Sequence, residues 1–342
     1  MKPLCFSTGS AKHLGCMSCR HLHGCSGTIG RASPEYDVPE EVKLQITTRC
    51  NLDCAFCFAP ERYPDISKTG AIRIIDNIAD SHVKAIRITG GEPCLREDLP
   101  EIIKYARKKG LYVILNTNAT VKNPALGLAD EILVSFHNID EGKISLVGRS
   151  GYRASFCTIL TTGNIKTLES YYQIFSQIPA DWFLLRPVPT ETNPHPWSQD
   201  DARTAIRRIW SLNNKYKIHV QIANAVPYCA AEIEMSRSVL VGGINDDGRS
   251  LLAVDARGRI HPSYFIKKDL GSALSDSIYN AWHTEAMRQL RSLEIVADGC
   301  RQCPYLEECM SGLRYSAWLI SGSYSALDPL ANPAQVSDRA CS

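Results

Sequence analysis

Fourteen cysteines, grouped along 342 residues, constrain this chain more than any other feature. Cys5, Cys16, Cys19 and Cys25 open the sequence, Cys50, Cys54 and Cys57 form a second group, and Cys300, Cys303 and Cys309 a third. At about 4% of the chain the thiols fall short of the roughly 8–10% typical of disulfide scaffolds. Thiols held a few residues apart in a reducing compartment read as metal or iron–sulfur ligands. The second group, Cys50-Asn-Leu-Asp-Cys54-Ala-Phe-Cys57, is the most telling. A four-iron cluster held by three protein sulfurs keeps one iron open to another ligand, whereas structural metal sites fill their coordination shell.

Charge and hydropathy narrow the partners. The net charge is +2, so no basic field argues for nucleic acid or an anionic membrane surface. No apolar run approaches the roughly 20 residues of a membrane span. The opening residues lack the apolar stretch of a secretory signal, and the expectation is a cytoplasmic protein of about two domains.

Between the thiol groups the hydrophobic period alternates between two and 3.6 residues. Strands are expected at 42–47, 83–88, 111–115, 131–136, 155–160, 182–185 and near 218–222. Helices are expected at 71–79, where Ile72, Ile75, Ile78 and Ala79 share a face, from 99 to Gly110 with Asp98 as cap, at 165–178 and at 202–212. About six β/α units fit between 40 and 225, too few for a closed eight-unit barrel. Chemistry in parallel β/α sheets gathers at the carboxyl ends of the strands. The second thiol group and Thr89-Gly90-Gly91-Glu92-Pro93 both follow strands, and so fall at that end. From about 250 the pattern changes to a hairpin turning at Gly258, a helix with Ile278, Trp282, Met287 and Leu290, and the third thiol group.

These features in this order resemble the radical S-adenosylmethionine (radical SAM) superfamily. Its members share CxxxCxxC, a following GGE motif and a partial β/α barrel. Thr117-Asn118 resembles that family's T-N-G segment, with Ala119 in the glycine position. The resemblance implies an α/β fold, a partial (β/α)6 TIM-type barrel over 41–230, preceded by a Cys-rich extension (1–40) and followed by a small SPASM- or twitch-like auxiliary-cluster domain (231–342). It implies that Cys50, Cys54 and Cys57 hold a [4Fe–4S] cluster whose open iron binds S-adenosylmethionine. Reductive cleavage would yield a 5′-deoxyadenosyl radical that removes a substrate hydrogen atom. Phe56 matches the aromatic position beside the adenine. Gly90 and Gly91 would let the ligand approach the backbone, and Glu92 would meet its ammonium. Asn118 and Ser135 would make further cosubstrate contacts; ordinary turn and strand-end chemistry is the alternative for both.

The outer thiols are less determined. Cys300, Cys303 and Cys309 follow the CxxCxxxxxC spacing of the auxiliary module. The residues where that module carries other cysteines are here Ser263, Leu313 and Leu330-Ala331, so one of its two usual clusters is expected to be lost. Cys341 or Cys229 could supply a fourth ligand to the remaining one, as could an opening thiol. Cys229 has two other readings, a buried core residue and a hydrogen-atom donor at the barrel mouth. The opening four thiols suit a four-iron cluster, zinc or no metal, with His21 and His23 as spare ligand types. One or two auxiliary [4Fe–4S] clusters are therefore expected. Cys94 and Cys157 read as small buried residues. Arg186 could bind a substrate carboxylate or pair with an acid.

The expected activity is radical oxidation or cross-linking of a peptide or protein side chain, served by a one-electron reductant such as flavodoxin or ferredoxin. About 40 residues before the first strand are too few for the leader-binding domain often fused to peptide maturases. The alternatives are the same chemistry on a sugar, nucleoside or cofactor precursor, and a non-catalytic iron–sulfur carrier or zinc module.

Overall fold

Six consecutive strands build a parallel sheet with one face for helices and one for chemistry. The computed structural model describes residues 37–57, 63–146, 153–190, 193, 195–242, 248, 250–266 and 268–337. The opening thiols, His21, His23 and Cys341 lie outside them. In order the elements are β1 (Glu41–Thr47), α1 (Lys68–Asp80), β2 (Ala85–Gly90), α2 (Leu99–Lys108), β3 (Tyr112–Thr117), β4 (Glu131–Ser135), α3 (Glu141–Ile144), β5 (Arg153–Ile159), α4 (Leu168–Phe175), β6 (Asp181–Leu185) and α5 (Gln199–Tyr216). There follow α6 (Ile233–Val239), β7 (Leu251–Val254), β8 (Ile260–His261), α7 (Ile278–Trp282), α8 (Glu285–Arg291), α9 (Leu306–Cys309), α10 (Arg314–Ser321) and α11 (Ala334–Ser337).

The sheet order is β6-β5-β4-β3-β2-β1-β7-β8, parallel throughout except for the β7–β8 hairpin. It is an open half barrel, the expected α/β architecture. On one face Val42, Leu44, Ile46, Ile86, Ile88, Val113, Leu115, Ile132 and Val134 are buried in the main hydrophobic core, to which α1 contributes Ala71, Ile74, Ile75 and Ile78. Each fully buried aliphatic side chain of this kind contributes about 2 kcal/mol. The other face holds a small apolar cluster of Ile114, Leu133 and Cys157 beneath a polar row. There Arg87 donates to Glu41 at 2.6 and 2.8 Å, and Ser155 to Glu131 at 2.9 Å. Burial alone would raise the Glu41 carboxyl, but the Arg87 guanidinium outweighs it and holds the group below its ordinary range.

Four local expectations shift. Helix α1 starts at Ser67, whose hydroxyl accepts from Gly70 N–H, so Ala71 and Ile74 replace Ile72 and Ala79 on the buried face. Asp98 occupies the cap position of α2 but its carboxylate is engaged by Arg96 at 2.7 and 2.9 Å. The strand expected near 218–222 is reduced to single bridges at Ile222, beside Leu184 and Leu240. Just beyond, β6 runs into Pro187 and Pro189, which have no N–H to extend a ladder. Finally β7, from the hairpin region, pairs parallel with β1 from Glu41↔Leu251 to Leu44↔Val254, joining that region to the barrel sheet.

Candidate functional site

The loop after β1 carries Cys50, Cys54 and Cys57, and the chain fastens it on several sides. At its base Thr48 exchanges two 2.8 Å hydrogen bonds with Tyr63, while Thr47 and Arg49 donate to Asp65 at 2.6 and 2.9 Å. Beneath it, buried Arg96 donates to the carbonyls of Ile46 and Ile66. The Gly-Gly-Glu stretch after β2 runs alongside: Gly91 N–H donates to Thr47 O at 2.9 Å and Glu92 N–H to Arg49 O at 2.7 Å. Across β3, Asn118 donates to Asn51 at 3.0 Å and Asn51 to Thr120 at 2.8 Å.

The three thiols are free, Cys57 exposed and Cys50 and Cys54 half-buried. Burial, and then the nearby Cys57 and Cys50 thiols, push the Cys54 thiol up, as expected where like charges would share a small space. Such a set binds a cationic metal centre readily once deprotonated.

Gly90 and Gly91 also have a packing role that the sequence alone does not show. A Cβ on Gly90 would lie 2.5 Å from Thr47 O, and one on Gly91 2.2 Å from Arg49 O. Their missing side chains admit the backbone at Thr47 and Arg49. Gly91→Ala is therefore expected to destabilise the fold by about 1–3 kcal/mol or more, because rigid backbone must yield, and to lower iron uptake at the loop. Denaturant unfolding and iron analysis check both.

Glu92 is fully buried, and its carboxylate accepts from Thr117 Oγ1 at 2.8 Å, Cys94 N–H at 2.9 Å and Asn118 N–H at 2.7 Å. It ties the end of β2 to the end of β3. The Cys94 thiol hydrogen-bonds the same carboxylate. Ser135, ending β4, hydrogen-bonds the Cys157 thiol, and its carbonyl accepts from Lys143 at 2.9 Å. Phe56 packs edge-on against His137 with ring centroids 4.7 Å apart.

His137 and Lys143 were missed in the sequence because neither belongs to a spaced motif. Burial, with the Lys143 charge behind it, pushes His137 down to about 4. Its Nδ1 accepts from Ile159 N–H at 3.2 Å, which assigns the proton of the neutral ring to Nε2. The unfolded chain binds this proton near pH 6.5, so the native state loses stability as pH falls from about 6.5 to 4. A His137→Asn variant should show a shallower decline in unfolding midpoint over that window.

The third thiol group lines a separate, partly open cavity. Cys300, Cys303 and Cys309 line it, and so does Cys229, with Ile233, Leu306 and Val336 among the apolar walls. Ala331, where the resemblance implies a further thiol, lines it too. Cys229 is buried and faces this cavity, so the hydrogen-donor reading, which requires a thiol at the barrel mouth, gives way to the ligand or core readings. The substrate reading of Arg186 is also corrected. Its side chain is 3% exposed and donates to Asp328 at 2.8 Å, Ala225 O at 3.1 Å and Ser316 at 3.1 Å. A guanidinium so engaged binds the C-terminal region to the end of β6.

Residues 44–141 match the sequence model of the Radical SAM superfamily. The chain is similar to a PqqA peptide cyclase of Bradyrhizobium diazoefficiens, 24% identical over 86% of this chain and 86% of that one. It is also similar to an AdoMet-dependent heme synthase of Nitratidesulfovibrio vulgaris, 23% identical over 84% and 91% of the two chains. In fold it is similar to Streptococcus suis SuiB, solved bound to S-adenosylmethionine, with a TM-score of 0.69 at 15% identity, covering 86% of this chain and 78% of that one. SuiB has also been solved bound to the precursor peptide SuiA. Among the described residues no helix is long and apolar enough to cross a membrane. The matched segment contains the thiol triplet, the Gly-Gly-Glu stretch and Asn118 on a half barrel of the expected kind, and over residues 44–141 the chain matches the Radical SAM superfamily.

Proposed function

We propose that this enzyme modifies a peptide or protein side chain by radical chemistry, with Cys50, Cys54 and Cys57 as ligands of its [4Fe–4S] cluster and an auxiliary cluster at the C-terminal thiols. The observation that carries the reading is the hydrogen-bonded coupling of the thiol loop to Gly91, Glu92 and Asn118 at the carboxyl ends of three adjacent strands. The cluster, when bound, supplies the electron for reductive cleavage of S-adenosylmethionine. The chain's own residues hold and shield the reactants. Glu92 offers its carboxylate to the cosubstrate ammonium, Phe56 a ring face to the adenine, and Asn118 and Ser135 polar contacts at strand ends. The half-buried, neutral His137 fixes Phe56 without adding charge.

Two features support a single C-terminal cluster within a reduced SPASM- or twitch-like region over 231–342. Ser263 Oγ is engaged by the N–H groups of Phe265 and Ile266, and Leu313 is fully buried, so neither position offers a ligand. The peptide class is supported by the similarity to a peptide cyclase and to a fold solved with a precursor peptide. Similarity to a heme synthase favours a second reading, the same chemistry on a small metabolite. Flavodoxin or ferredoxin is the proposed reductant, and the cytoplasm the proposed compartment.

Anaerobically reconstituted protein, given dithionite and S-adenosylmethionine, is expected to release 5′-deoxyadenosine and to change the mass of a short peptide encoded beside its gene. Failure to form 5′-deoxyadenosine would overturn the reading. Turnover only with a tetrapyrrole, sugar or nucleoside would select the second.

A further inference from the structure

We infer that Cys229 is the fourth thiolate of the C-terminal iron–sulfur site, so that this cluster is fully ligated by protein and carries electrons without binding substrate. The inference rests on the auxiliary-cluster reading above and names the ligand and the role that reading leaves open. Cys229 precedes α6 and stands 71 residues before Cys300 (300 − 229), yet all four sulfur-bearing residues line one cavity.

The local structure is built around these sulfurs. Asn332 N–H donates to Cys229 Sγ at 3.2 Å and Tyr228 N–H to Cys309 Sγ at 3.4 Å. Backbone N–H groups on cluster sulfurs stabilise the added electron of the reduced state. A second, independent sign is Ser311. It is 4% exposed, lines the same cavity, and its Oγ has no hydrogen-bond partner. A buried hydroxyl left unmatched is costly, and a cluster sulfur beside it would supply the acceptor. Ser311 sits between Met310 and Gly312 in a run of three left-handed residues, with φ of 59°, 65° and 75°. Two of the three are not glycine, and strain of this kind persists only where the surroundings impose it.

With four thiolates in place every iron is closed, unlike the cluster proposed at Cys50, Cys54 and Cys57 with its open corner.

The test uses the full chain carrying Cys50→Ala, Cys54→Ala and Cys57→Ala, so that iron at the barrel loop does not contribute. Iron, sulfide and zinc are counted, and the dithionite-reduced electron paramagnetic resonance spectrum and midpoint potential recorded. Adding Cys229→Ala should lower iron per chain and remove or convert the reduced-cluster signal, while Cys157→Ala, a buried thiol outside the cavity, should not. Cys229→Ser keeps the volume and a weaker donor, and should retain the cluster with an altered spectrum. Ser311→Ala should keep the iron and move the potential to more negative values. Circular dichroism confirms that each variant folds. Unchanged iron and spectrum in both Cys229 variants would overturn the inference, as would zinc at this site, or loss of the signal on Cys341→Ala with Cys229→Ala silent. These outcomes are independent of 5′-deoxyadenosine formation by the unmodified chain, which tests the proposed function separately.

Discussion

Replacing Cys50, Cys54 and Cys57 together by alanine is expected to lower 5′-deoxyadenosine formation by at least about a thousandfold, since no amino-acid side chain delivers a single electron to a sulfonium. The fold should survive. Cys57 is exposed and its two companions half-buried, and the loop is held by Thr47, Thr48, Arg49 and Asn51 rather than by the sulfurs. Liquid chromatography of the product, with iron analysis beside it, checks both halves. Retained iron would report the sites elsewhere in the chain, whereas complete loss of iron would remove the auxiliary cluster from the reading. Retained 5′-deoxyadenosine formation would remove these thiols from the chemistry.

Asp328→Ala is expected to cost about 3–5 kcal/mol of stability, the usual consequence of leaving a buried charge without its partner. Asp328 is fully buried and accepts from Arg186 at 2.8 Å, from Leu313 N–H at 2.8 Å and from Leu330 N–H at 2.9 Å. Its loss strands the Arg186 guanidinium and two backbone donors in one step. It also loosens the segments that precede and follow the cavity of the third thiol group. Asp298→Ala is the control: that side chain is 96% exposed in its ion pair with Arg301, and the change should stay within about 0.5 kcal/mol. Arg186→Met combined with Asp328→Leu should recover part of the loss, since the buried charge is gone while the two N–H groups remain unmatched. Guanidinium unfolding curves of the three variants and the unmodified chain give the comparison.

The two effects differ in how readily the sequence discloses them. The triplet, the Gly-Gly-Glu stretch and the helix faces are short-range patterns, set by period and spacing within a few residues. The order of strands and helices through β6 is legible for the same reason. Gly90 and Gly91 are half legible. Their identity says that a Cβ is excluded, but only the fold says that the excluding neighbour is the backbone of Thr47 and Arg49. His137 gives no signal at all, because its neutrality comes from burial and from Lys143 six residues on.

By itself, then, the sequence determined the class of fold, the chemistry and the three thiols at the strand ends, because each is encoded in contiguous residues whose periods and spacings are physical constraints on one short segment. Tertiary structure decided what distant segments do together. It placed β7 beside β1, turned Arg186 from a candidate substrate ligand into the partner of Asp328 142 residues away, and brought Cys229 to the cavity of Cys300, Cys303 and Cys309. Such pairings follow from burial and close packing of the whole chain, where many partners are chemically acceptable and only three-dimensional proximity selects among them.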